Sequence, residues 1–225
     1  GDLTLTGAIT AHGSGNVYLR SVAGHTTVNA DVASTTGHLT ILASGTLTQN
    51  ADLTTAGTGT INLEANAYTG ALTADITAGS GDIRVLSTTD IVLGGVITTT
   101  GNVSLTATTG SITDLDANAA VDIVATGLRL VAGVGIATAT NHLETTVSTL
   151  SARATSGGIY LSETNALTIS DVAVTVQKVS ATNTLTPTTD ATQTDLRTTA
   201  GNGTNVLTTG GDLALNDGTA ATDTT

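Results

Sequence analysis

The chain has 225 residues and a formal net charge of −12, from 18 acidic and six basic side chains. Hydrophobic residues make up 39%, too many for a disordered tail, yet Phe, Trp, Met and Cys are absent and Tyr18, Tyr68 and Tyr160 are the only aromatics. The charge balance excludes a basic nucleic-acid footprint, and no apolar run reaches the length of a membrane span, so neither nucleic acid nor membrane insertion is expected.

A core without large aromatic side chains must be built from Leu, Val, Ile, Ala and Thr. Thin, uniform cores of that kind suit stacked rungs. Thr makes up roughly a quarter of the chain and joins Val and Ile in favouring strands over helices, while Pro187 is the single proline. A surface with one lysine, Lys178, offers few sites to trypsin-like proteases. The lack of Cys fits an exported chain that avoids disulfides. The chain opens at Gly1 in mid-repeat, without Met or a secretory leader, so a processed product or a segment of something longer is expected.

In chain order, a Gly-polar-aliphatic-x-aliphatic unit recurs. It is faint as GDLTL at Gly1, then clear as GNVYL at Gly15, GHLTI at Gly37, GTINL at Gly59 and GDIRV at Gly81, three successive spacings of 22. GNVSL at Gly101 follows after 20. Self-similarity at such a period predicts a solenoid, in which each repeat contacts its neighbours. In the block from Gly37, Leu39 and Ile41 alternate with polar residues, Gly45 punctuates, Leu47 marks a second strand and Asn50 to Asp52 a turn before Leu53. The block from Gly81 repeats this with Ile83/Val85, Ile91/Leu93 and Val96 or Ile97. Three short strands per block predict a three-sided rung.

Stacking the rungs aligns two aliphatic columns: Leu3, Val17, Leu39, Ile61, Ile83, Val103, and two places on, Leu5, Leu19, Ile41, Leu63, Val85, Leu105. About ten turns at strand spacing make a rod on the order of 50 Å long. The leading glycine is expected at a corner, where positive φ or close backbone approach excludes a side chain.

Beyond Gly101 the period loosens. Aliphatic pairs persist at Val121/Ile123, Leu128/Leu130, Ile159/Leu161, Leu167/Ile169 and Val172/Val174/Val176, which predicts loops or a wider rung. Asn141 to Ala154 has the weakest strand pattern and admits a helical insertion. From Ala181 to Thr204 the chain is rich in Thr, Asn and Asp, and Leu213 and Leu215 restore the motif. Residues 1–180 are therefore assigned to the repeats, most regular over 15–105, and 181–225 to irregular terminal rungs, a cap or a subunit-linking segment.

The units at Gly15 to Leu19, Gly37 to Ile41, Gly59 to Leu63, Gly81 to Val85 and Gly101 to Leu105 are similar to those of the filamentous haemagglutinin and related giant bacterial surface adhesins built from β-strand repeats. The resemblance covers about half the chain. It implies an all-β, right-handed parallel β-helix, a three-sided β-solenoid with roughly 22 residues per rung. It also implies a secreted chain at a bacterial cell surface, working in adhesion, biofilm or filament formation, with surface glycans or cell receptors as partners.

Carbohydrate-active β-helices use paired carboxylates, and Asp114 and Asp116 form the tightest pair here; Asp is equally a good turn residue after Ile112. Arg20, Arg84, Arg129, Arg153 and Arg197 are scattered. His12, His25, His38 and His142 lack recognised ligand spacing, although His142 and Glu144 make a same-face pair. Asp2, Asp82 and Asp212 at block starts hint at calcium, without the glycine-rich nonapeptide of calcium-binding β-rolls. The outward ladder Thr4, Tyr18, Thr40, Asn62, Arg84, Ser104 is too mixed for an ice-binding face. Asn102-Val103-Ser104 and Asn202-Gly203-Thr204 match N-glycosylation acceptors. No catalytic, cofactor-binding or metal residue is assigned, no enzyme activity is expected, and calcium is the one ion entertained. The motif at Gly1 and again at Gly211 predicts head-to-tail self-association into filaments.

Overall fold

A computed structural model describes residues 1–200 and 203–219. It is all-β, with 25 strands and no helix among the described residues. Parallel strands stack as a β-solenoid of about 8 turns, roughly 22 residues per turn.

Each regular turn places one strand on each of three faces. The first face stacks Val17–Ser21, Leu39–Ala43, Ile61–Ala65, Ile83–Ser87 and Asn102–Ala107. The second stacks Leu3–Leu5, Thr26–Val28, Thr46–Gln49, Ala67–Gly70, Ile91–Leu93 and Ile112–Asp114. The third stacks Ile9–Ala11, Val32–Ser34, Leu53–Thr54, Ile76–Thr77 and Ile97–Thr98.

On the first face the expected inward columns hold in register. One runs Val17, Leu39, Ile61, Ile83, Val103, and continues through Leu128 and Leu150; the other runs Leu19, Ile41, Leu63, Val85, Leu105, then Leu130 and Ala152. Leu39, Ile41, Ile61, Leu63 and Ile83 have no exposed surface, so this face closes one dry aliphatic core.

Leu3 and Leu5 do not begin those columns. Leu3 pairs with Thr26 and Leu5 with Val28, on the second face. GDLTL starts at Gly1, too close to GNVYL at Gly15 for a full turn, and inward–outward alternation is the same on every face. The later unit at Ile159 is displaced likewise, stacking on Ile136 of the second face, whereas Leu215 lies on Ile169 and through it on Leu150 of the first column.

The expected helical insertion at Asn141 to Ala154 is instead the longest strand, Leu143–Ala154. It lies parallel against Ile123–Ala132 from Ile123–Thr145 to Ala132–Ala154. Both strands bend through a corner without a break, so the buried phase skips a residue there: Leu143, Thr145, Val147, then Leu150, Ala152, Ala154. That skip weakens the period-two signal, and the β-branched residues still favour the extended backbone.

At Val172 the chain leaves the coil, within the span 1–180. Val172–Val179 and Leu185–Gln193 form an antiparallel hairpin, with Asn183 in the left-handed region near its tip. The chain rejoins the stack at Leu196, paired to Ala152. The hairpin holds about one turn's length of chain outside the coil, which brings the turns below ten and the stack to the order of 40 Å.

The repeat glycines stack on one another. A Cβ on Gly37, Gly59 or Gly81 would overlap the carbonyl oxygen of the preceding glycine in the column, Gly15, Gly37 or Gly59. Positive φ occurs at Gly13, Gly24 and Gly57 instead, so close approach is what requires glycine at these corners. Buried hydroxyls pin the turn: Ser34 Oγ donates to Gly15 O (2.6 Å) and accepts Gly37 N–H, and Thr99 Oγ1 donates to Gly81 O (2.8 Å) and accepts Gly101 N–H.

Candidate metal centre

Just before many of the strands, a side chain accepts a backbone N–H one turn later. Along the corner leading into the third face, Asp31 accepts Asp52 N–H (3.2 Å), Asp52 accepts Asp75 N–H (2.9 Å) and Asp75 accepts Val96 N–H (2.9 Å). Asp122 precedes the next strand on that face and its Oδ2 accepts Glu144 N–H at 2.9 Å. The same use absorbs two of the block-start aspartates: Asp2 Oδ1 accepts His25 N–H and Asp82 Oδ1 accepts Asn102 N–H. His25 and His38 act alike, each accepting an amide at Nδ1, from Thr46 and Thr60.

Asp114 comes from a different place. It stacks on Leu93 at the inward end of the second-face strand Ile112–Asp114, so a carboxylate stands where the rung below buries a leucine. The loop after it is a chain of side-chain turns. Asp114 Oδ1 accepts Asp116 N–H, Asp116 Oδ1 accepts Asn118 N–H, and Asn118 Oδ1 accepts Ala120 N–H. Asn141 Nδ2 ties this loop to the next turn by donating to Asp114 O (3.2 Å) and Asp116 O (2.6 Å).

The loop returns the chain to Asp122, beneath Glu144. Asp114, Asp122 and Glu144 thus converge, with one carboxylate oxygen of each within 4.8 Å of the other two. They are 8%, 4% and 9% exposed. Asp114 Oδ2 and Glu144 Oε2 are buried without a hydrogen-bond partner. Burial pushes the Asp122 carboxyl up to about 8, opposed by the Glu144 amide and reinforced by the charges of Asp114 and Glu144. Burial likewise raises Asp114, helped by Asp116, and Glu144, helped by Asp114. Such a group can hold a proton or ligate an oxygen-preferring cation.

Of the pair suggested by the sequence, Asp114 enters this cluster and Asp116 serves the turn. Asp122 and Glu144 were missed as partners of Asp114. Their signal was their separation of one turn, plus an acid in the inward phase after Ile112. His142 offsets part of the rise of the Glu144 carboxyl and packs its ring 6.0 Å from that of Tyr160.

The mixed ladder has a structural reason. Thr40, Asn62, Arg84 and Ser104 are buried beneath the hairpin. Thr40 Oγ1 accepts Val179 N–H, while Asp190 of the hairpin accepts Arg84 Nε–H (2.8 Å) and Ser104 Oγ–H (2.6 Å). Lys178 Nζ donates to Glu64 (2.7 Å), which also accepts Arg84 Nη1–H. Asn102, the first glycosylation acceptor, donates Nδ2–H to Ala173 O of the hairpin; Asn202, the second, lies outside the described residues. Arg129, Arg153 and Arg197 come together along one cleft beside Gln193 and Asp195. No protein-family model, curated protein or solved structure matches the chain.

Proposed function

We propose that this chain is a structural and adhesive segment of a bacterial surface fibre, lengthened by rung-on-rung stacking of successive copies. The observation that carries the reading is a pair of strand edges left unpaired among the described residues. At one end, Leu3–Leu5 and Ile9–Ala11 pair on one side only among the described residues, with Leu3, Leu5 and Ile9 part-exposed. At the other, Leu213 is 46% and Leu215 74% exposed on a strand that, among the described residues, pairs only to Leu167–Ile169. All coil strands run parallel, so the two edges are complementary, and a head-to-tail contact of unlike ends propagates instead of closing. The resemblance of the repeat units to those of surface adhesins and the acidic, lysine-poor composition support an extracellular setting. Its work is mechanical: to be stiff, long and exposed, without enzymatic turnover.

Sedimentation velocity and negative-stain electron microscopy of the purified chain test this. Concentration-dependent fibres or linear oligomers are expected, and Leu215→Lys at the exposed edge should shorten them. A monomer that persists at high concentration overturns the reading.

A further inference from the structure

We infer that Asp114, Asp122 and Glu144 bind one divalent cation, calcium by preference, which locks two adjacent turns of the coil together. Three observations carry this beyond a mere accumulation of acids. First, Asp114 stands in an inward phase, on top of buried Leu93, where an uncompensated carboxylate is costly. Second, Asp114 Oδ2 and Glu144 Oε2 are buried and unpartnered, while the other ends of the site are already engaged: Asp114 Oδ1 by the Asp116 amide and Asp122 Oδ2 by the Glu144 amide. Buried carboxylate oxygens ordinarily find a donor, and these two belong to carboxylates that converge with Asp122. Third, the mutual 4.8 Å limit matches a shared ion, because oxygens on opposite sides of a calcium ion at about 2.3–2.6 Å are about 5 Å apart.

Calcium's six to eight ligands would be completed by second carboxylate oxygens and water. Solvent borders the site, because Leu115 and residues 117–120 of the neighbouring loop are exposed. The ion would join the end of the second face (Asp114) to the start of the third in the same turn (Asp122) and the next turn (Glu144). This is the longest loop between a second-face and a third-face strand, so a bound ion would supply the cross-link that shorter turns obtain from hydrogen bonds alone. The inference is independent of self-association, since the site lies within one chain.

The probe is Ca²⁺ alone, titrated calorimetrically into the chelator-treated full chain, with Mg²⁺ alone for comparison. One Ca²⁺ per chain is expected, with a dissociation constant at or below the ~1 mM of weak extracellular calcium modules. Asp114→Asn, Asp122→Asn and Glu144→Gln should each weaken binding at least tenfold. Asp31→Asn, on the same corner several turns away, should bind like the parent. Melting in EDTA separates ligation from folding: the three variants should melt no lower than the parent without metal, and calcium should raise the melting temperature of the parent but not theirs. Absence of heat and of any melting shift up to about 10 mM Ca²⁺, or one-site binding that survives all three substitutions, overturns the inference.

Discussion

Asp122 illustrates how a single buried group sets a pH response. Its carboxyl loses a proton near 3.8 in the unfolded chain and near 8 in the folded one. Between those values the folded state retains a proton that the unfolded state has released, so stability falls as pH rises through the window. Asp114, Glu144 and Glu163 are displaced in the same direction, each by burial first. Glu64 is displaced oppositely, by its hydrogen bond and charge contact with Lys178 and by Arg84, and its stabilising contribution is lost on acidification. In EDTA, the urea midpoint is expected to drop between about pH 5 and pH 8, and Asp122→Asn should remove much of that drop. A midpoint that rises over this interval would contradict the assignment. Glycine acts at the same scale through space alone. Gly59→Ala forces a methyl group into the Gly37 carbonyl and should cost about 1–3 kcal/mol. Gly7→Ala, with nothing within 4 Å of the added carbon, should stay within about 0.5 kcal/mol in the same denaturation measurement.

Among the elements, the hairpin Val172–Gln193 departs furthest from the repeat. Val172, Val174 and Val176 alternate like a rung strand, and period two reports a half-buried strand without naming its partner. Here those valines form their own small buried cluster, and the hairpin binds the first face largely by polar contacts. Alternate amides of its inner strand, from Thr175, Gln177 and Val179, donate to Asp82, Thr60 and Thr40 of successive turns. Asp190 is the centre of the contact, with Arg84 and Asp190 side chains only 8% and 13% exposed. Asp190→Asn removes one of the two carboxylates that hold the buried Arg84 guanidinium, leaving Glu64, and should cost about 1.5–3 kcal/mol. Hydrogen exchange should locate the loosening in residues 172–193 and spare the strands of the third face; uniform protection across the hairpin would count against a clasp centred on Asp190.

For the molecule as a whole, each turn is stabilised by the turns on either side, so cohesion is close to a sum of nearest-neighbour interfaces and weakest at the two ends. The exposed leucines at one end and the part-exposed aliphatics at the other follow from that geometry. They are also what a stacked copy would cover, which is why the proposed fibre and the end effects share one cause.

The amino-acid sequence by itself determined the rung: a 22-residue spacing, aliphatic alternation and a stacking glycine from Gly15 to Leu105. These are local and periodic, and periodicity survives without knowledge of distant contacts. Asp114 was also legible, as one member of the tightest carboxylate pair with Asp116. Which face each alternating strand occupies, as with Leu3 and Leu5, emerged from the stacking of turns, because every face has the same inward–outward pattern. Tertiary packing alone turned Val172–Gln193 back over Thr40, Asn62, Arg84 and Ser104, and it alone brought Asp122 and Glu144 to Asp114. Those outcomes depend on where corners fall and on contacts tens of residues apart in sequence, which no local pattern encodes.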